Sequence, residues 1–295
     1  MTDPPLPTNN DDQLKLWNGV AGQAWVDEQA LLDALFRPFE EALAAAARAA
    51  SARRVLDVGC GTGATTLAIA RAIDESAGPG GRCTGIDLSE PMTALARERA
   101  RRDAVANAEF LCADAQAQAF EPATFDRVVS RFGVMFFADP VAAFANLRRA
   151  ATDHAALHCI VWRSAAENPF MTTAERAVAP LLPSMPARRR DGPGQFAFAE
   201  PPRVQHILGA AGWHDVALQP LDVPCALDPA QLDRYLSRLG PVGVALAEAD
   251  DATRDHLLQV LRTAFAPFRH GDQTRFTAAC WSVTARADAI STAPA

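Results

Sequence analysis

The chain reads as an α/β fold: a mostly parallel sheet with helices on both faces and an insertion after its fifth strand. Three observations predict this. Short β-like runs alternate with helix-like runs between residues 53 and 162, the rhythm of strand–crossover–strand units. A glycine-rich turn joins the first of these strands to the helix behind it, a common ligand-binding junction in such sheets. The rhythm then breaks after Trp162, where residues 163–199 become rich in proline, arginine and glycine. With 295 residues, 49% of them hydrophobic and 21% charged, the chain has the apolar content to bury a sizeable core.

In order along the chain, residues 1–13 are polar and read as a disordered tail. They lack both the basic and the apolar region of a signal peptide. Helical spacing follows from residue 14 to 50, strongest in the alanine-rich stretch 40–50. Strands are expected at 54–58, 82–86, 108–112, 125–130 and 155–162. Helices are expected at 64–73, 91–102 (with Pro91 in its first turn) and 141–150. Right-handed crossovers would gather every loop that follows a strand at one edge of the sheet. Residues 163–199, including Arg188, Arg189 and Arg190, read as a lid or mobile insertion. Beyond it come a helix near 202–211, a strand near 216–223, more helix over 229–266, a strand near 276–285 and a fraying tail over 287–295.

Composition narrows the function classes. A formal charge of −7 gives no uniform basic face, so nucleic acid is not an expected partner. No apolar run approaches the roughly 18 residues of a membrane span, and the expected location is the cytoplasm. The six cysteines, Cys60, Cys83, Cys112, Cys159, Cys225 and Cys280, include no C-x-x-C pair. They read as reduced thiols, with no metal site expected.

The strongest local signal is the run from Val55 to Gly63, Val-Leu-Asp-Val-Gly-Cys-Gly-Thr-Gly. Glycines let the backbone take positive φ and let a ligand approach where a Cβ would collide. The helix start behind them offers free N–H groups. Gly59-x-Gly61-x-x-Ala64 also satisfies a dinucleotide-binding pattern. However, Asp57 stands two residues before the first glycine, where it would repel a pyrophosphate and attract a cationic group, and Gly63 adds a third glycine.

This segment resembles the first motif of the class I S-adenosylmethionine-dependent methyltransferases, and further pieces arrive in that family's order. Gly85-Ile86-Asp87-Leu88-Ser89 is similar to the end of the second strand, and Cys112-Ala113-Asp114-Ala115 to the end of the third. The run Phe125 to Phe132, with Ser130 and Arg131 near its end, resembles the fourth strand. Trp17-Asn18-Gly19, Gly22-Gln23-Ala24-Trp25 and the run Phe132 to Pro140 are similar to segments of small-molecule methyltransferases of ubiquinone and menaquinone biosynthesis.

The resemblance implies a Rossmann-like sheet with an antiparallel last strand, in a single domain over 14–286. Within it, 14–50 would be a helical cover, 53–162 the cofactor-binding core, 163–199 the lid or substrate insertion and 200–286 the rest of the sheet with inserted helices. It implies S-adenosylmethionine as cofactor and a small molecule as methyl acceptor. The cofactor-binding residues would be Trp17, Trp25, Asp57, Gly59, Gly61, Gly63, Asp87 (ribose hydroxyls), Leu88, Asp114 (adenine amino group), Ala115, Ser130 and Arg131.

Plainer roles stand beside these. Asp57, Asp87 and Asp114 would each suit a turn or helix cap. Trp17 and Trp25, eight residues apart, would suit a packed stripe, and Arg131 a surface salt bridge. His154 and His158 read as structural, and Arg188–Arg190 as a solvated loop. No residue presents itself as a general base, which methyl transfer needs only when the acceptor must lose a proton. Two alternatives stay open: a nicotinamide-dependent oxidoreductase, and a non-catalytic S-adenosylmethionine-binding regulatory protein. A homodimer is left open as the assembly.

Overall fold

The computed structural model describes residues 10–77, 80–182, 185 and 192–288. Three helices come first, α1 (Asp11–Asn18), α2 (Val20–Asp27) and α3 (Gln29–Ala49). Helix therefore begins within the stretch read as a tail. In α3 the apolar residues Leu32, Phe36, Phe39, Leu43 and Ala47 recur every three or four positions and are buried, the stripe of a helix laid on a sheet.

The alternating core follows: β1 (Arg54–Val58), α4 (Ala64–Ala77), β2 (Arg82–Asp87), α5 (Glu90–Arg102), β3 (Ala108–Cys112), β4 (Phe125–Arg131), α6 (Pro140–Ala150) and β5 (Ala151–Trp162). Ser89 and Asp139 cap α5 and α6, each accepting from a backbone N–H three residues on, with proline in the first turn, as capping chemistry favours. Then come α7 (Pro169–Val178), α8 (Pro201–Ala210), β6 (His214–Leu227), α9 (Pro229–Arg238), α10 (Gly240–Glu248), α11 (Asp251–Ala264), β7 (Arg269–His270) and β8 (Gln273–Arg286).

The sheet runs β3-β2-β1-β4-β5-β8-β6, with β7 paired to β8 off this path. The first five strands are parallel, and β8 is antiparallel to both neighbours, as the resemblance implied. Strand order steps one way from β1 to β2 and the other way from β4 to β5. Right-handed crossovers therefore put α4 and α6 on opposite faces. The reversal between β1 and β4 opens the crevice where open α/β sheets bind ligands.

The stretch read as a lid contains a packed helix, α7. In α7, Phe170 is buried and stacks on Phe276 of β8 at 3.5 Å, ringed by Tyr235, Phe265 and Phe268. Asn168, just before α7, is buried and exchanges two 2.9 Å hydrogen bonds with the backbone of Ala279. Burial of this aromatic knot outweighs the local polarity that suggested a loop. Arg188, Arg189 and Arg190 lie outside the described residues. At the other end Ala287 is buried and its N–H donates to the Ala155 carbonyl, so the last strand is tied down one residue into the expected tail.

Candidate cofactor site at the strand ends

Val55, Leu56 and Val58 are buried and carry β1 to its end, where the chain turns through Gly59, Gly61 and Gly63 at φ of 69°, 55° and 87°. The three glycines do different work. A Cβ on Gly59 would stand 2.5 Å from the Cα of Gly133, and one on Gly63 would stand 2.9 Å from Ala96 and Phe110. A Cβ on Gly61 would meet nothing closer than Met92 Sδ at 3.8 Å. Gly59 and Gly63 thus let parts of the fold approach one another, while a Cβ on Gly61 would make only ordinary contact with Met92.

Three acids gather at the same edge. Asp57 is fully buried. Its Oδ2 accepts from Thr66 Oγ1 at 2.6 Å, and its Oδ1 is buried with no hydrogen-bond partner. Burial pushes its pKa up to about 6, against the pull of the Thr66 hydrogen bond and the Arg131 charge. Asp87 accepts from Gly61 N at 2.8 Å and Ser89 N at 2.9 Å. Burial raises its pKa too, and these backbone donors hold it back. With three backbone donors, Gly61, Ser89 and Leu88, on four lone-pair sites, the carboxylate still has acceptor capacity to spare. Asp114 accepts from Gln116 N and Nε2 and from Asn10 Nδ2. Beside it, the carbonyl of buried Ala115 accepts from Asn146 Nδ2 at 2.9 Å, which fixes the loop that carries Asp114.

At the end of β4, the Ser130 hydroxyl is engaged within the fold, which leaves its side chain no hydrogen bond for a ligand. Ser130 is fully buried; its hydroxyl donates to the Val58 carbonyl at 2.7 Å and accepts from Gly133 N and Val134 N. With its capacity spent inside the fold, it braces β4 against β1. Arg131 lies two residues beyond Val129, the register partner of Asp57, and so shares the face of Asp57. Its guanidinium lies over the Phe36 ring at 5.6 Å, and Nη1 is buried without a hydrogen-bond partner. Burial lowers its pKa, and the charges of Glu40, Asp33 and Asp57 raise it again.

Glu40 and Asp33 were not among the expected site residues. They stand seven apart on α3, one helical face. Burial pushes the Glu40 carboxyl up while Arg131 pulls it down. Asp33 pairs with Arg99 at 2.5 Å, and Arg99 also donates to the Thr62 carbonyl in the glycine turn. Acids on the buried face of an amphipathic helix were the signal in the sequence.

The N-terminal helices cover this edge. Trp17 sits edge-on to Trp25 at 6.1 Å and to Phe136 at 5.1 Å. Ser89 Oγ donates to the Trp17 carbonyl at 2.6 Å. Asn18 donates to the Leu88 carbonyl and accepts from Glu90 N. The structure thus brings both tryptophans, the glycine turn, Asp57, Asp87, Leu88, Asp114, Ala115 and Arg131 to one edge. His158 lies within the sheet, where it hydrogen-bonds Ser282 Oγ at 2.9 Å and burial pushes its pKa down to about 4.

Residues 55–154 match the family described as a methyltransferase domain. Over 106 residues the chain is 33% identical to demethylmenaquinone methyltransferase of Lactococcus lactis subsp. lactis (strain IL1403), covering 36% of this chain and 40% of that protein. Over 111 residues it is 33% identical to the aklanonic acid methyltransferase DauC of Streptomyces sp. (strain C5), covering 38% and 49%. The chain therefore spans less than half the length of these curated relatives. The methyltransferase domain and its surroundings share a fold with the YcgJ protein of Bacillus subtilis. There the TM-score is 0.54 at 16% identity, over 84% of this chain and 99% of that one.

Proposed function

We propose that the chain is an S-adenosylmethionine-dependent methyltransferase for a small-molecule acceptor, working as one domain that takes in the expected 14–286 and begins at least as early as α1. The observation that carries this is a pair of unmatched buried atoms, Asp57 Oδ1 and Arg131 Nη1, on one face at the ends of β1 and β4. An unpaired buried polar atom is costly. A lone acceptor and a lone donor of opposite charge suit the ammonium and carboxylate of an amino-acid group. Next to them, Asp87 keeps acceptor capacity toward the hydroxyls of a ribose, and Asp114 marks where a base would lie. These residues fit S-adenosylmethionine end to end.

The chemistry this cofactor supplies is a methyl group on a cationic sulfur, open to in-line attack. Asp57 and Arg131 hold the amino-acid end, Asp87 orients the ribose, and Trp17, Trp25 and Phe136 exclude water from the reacting groups. No general base is assigned. Both curated relatives are named for small-molecule acceptors, which supports that substrate class. Among the described residues no helix is long and apolar enough to cross a membrane.

Calorimetry with S-adenosylhomocysteine tests the reading, with dissociation in the micromolar range expected, on the order of −8 kcal/mol. No heat and no thermal shift with either this product or the cofactor would overturn it. Asp87→Ala should weaken that binding by about 1.5–3 kcal/mol. It should also lower the melting temperature, because the same carboxylate ties Gly61 N and Ser89 N. Parent-like affinity in this variant would mean the ribose lies elsewhere.

A further inference from the structure

Asn10 occupies the position that would cap α1, yet its side chain makes no capping hydrogen bond. Instead Nδ2 reaches 104 residues along the chain and donates to Asp114 Oδ2 at 3.0 Å, while Oδ1 is buried with no hydrogen-bond partner. Charge fixes which way the amide faces, because turning it over would set its oxygen against the Asp114 carboxylate. The carboxylate itself is well supplied, with the Gln116 N–H at 2.9 Å and the Gln116 amide at 3.2 and 3.3 Å besides Asn10. The acceptor left over at this corner is therefore the amide oxygen of Asn10.

We infer that Asn10, held by Asp114, reads the base of the cofactor by accepting a hydrogen bond from the purine 6-amino group. This rests on the proposed cofactor reading, which puts the base beside Asp114. A 6-amino group brings two donors to a corner built of acceptors. A 6-oxo purine brings an oxygen there and leaves the Asn10 oxygen both buried and repelled, the asymmetry by which a buried polar group rejects the wrong partner. The residue belongs to the helix whose far end is anchored by Asn18 on Leu88 and Glu90. Docking of the cover and recognition of the base are then one event.

The test is equilibrium binding of S-adenosylhomocysteine and its 6-oxo analogue S-inosylhomocysteine to the full chain and to its N10A and N18A variants, each checked by thermal melting. The wild type should favour the 6-amino ligand at least tenfold. N10A should lose about five- to tenfold for that ligand, the scale of one hydrogen bond, and less than twofold for the 6-oxo ligand. N18A, which loosens the same helix away from the base, should weaken both ligands by the same factor. If N10A also weakens both equally, Asn10 is only a latch and the inference is overturned while the cofactor reading stands. If the wild-type chain binds neither ligand, both are overturned.

Discussion

Gly59→Ala should cost about 3–4 kcal/mol of stability, the rough sum of left-handed backbone strain and overpacking. The added Cβ would stand 2.5 Å from Gly133 Cα, with φ at 69°. Nothing there can rotate aside, because the obstacle is backbone. Gly133 is locked from the other direction, since its own Cβ would fall 2.5 Å from the Val58 carbonyl and 2.6 Å from Gly59 Cα. The ends of β1 and β4 meet through this glycine pair, with Ser130 bridging them. In a domain whose whole stability is on the order of 5–15 kcal/mol, the variant should melt about 5–6 °C lower or fail to accumulate. Gly61→Ala is the control from the same motif. Its φ is 55° and its nearest neighbour is 3.8 Å away, so it should lose only about 1–2 kcal/mol of strain energy. Thermal melts of the two variants without ligand decide the matter. Equal loss in both would show that the Gly59–Gly133 contact is not what the glycine serves.

Much of this geometry could be read from the chain because period and punctuation were consistent. The parallel strands through β4, the helices between them and the acids at their ends follow from apolar runs stopped by Gly or Asp. Other parts depend on partners far away in sequence. β6 runs from His214 to Leu227, past both ends of the expected 216–223, and carries two prolines, Pro220 and Pro224. They are tolerated because β6 ends the strand order, where a missing N–H costs no ladder bond. β5 starts four residues before its expected beginning, across the polar Thr152-Asp153-His154, and its pairing with β4 carries an irregularity between Phe125 and Arg127. The helix α7 was hidden because its stability comes from Phe170 packing on Phe276 of β8, Tyr235 of α9 and the Phe265 and Phe268 that follow α11, not from its own composition. At the site, Ser130 looked like a ligand contact because its position is right; only the structure shows the hydroxyl already used. The Asp33–Arg99 pair and the Asn10–Asp114 contact join residues 66 and 104 positions apart, beyond the reach of any local pattern.

Asp57→Asn should make the free protein more stable at pH 8 and a poorer binder of S-adenosylhomocysteine. In the folded chain the Asp57 pKa is raised from 3.8 to about 6, mainly by burial. The folded state therefore prefers the neutral carboxyl. Its stabilising contribution is complete below pH 3.8 and is lost as pH rises through about 6. The full span of that loss is on the order of 3 kcal/mol. Asparagine stays neutral throughout, and its carbonyl can still accept from Thr66 Oγ1, but its amide forgoes the attraction of Arg131. A gain of about 1–2 kcal/mol at pH 8 is the expected net, shrinking toward zero as the parent protonates near pH 4. Urea titrations of both proteins at pH 4, 6 and 8 would trace it. Binding should change in the opposite sense. Removing the charge that faces the ligand ammonium should weaken S-adenosylhomocysteine at least tenfold at pH 8, on the order of 1.5–3 kcal/mol for a hydrogen bond to a charged group. A variant that is less stable than the parent at pH 8 would mean that Arg131 more than offsets the burial of Asp57 in the free protein. A more stable variant with unchanged affinity would remove Asp57 from the ligand's surroundings. Gain of stability together with loss of binding is the outcome that identifies Asp57 as a charge kept buried for its ligand.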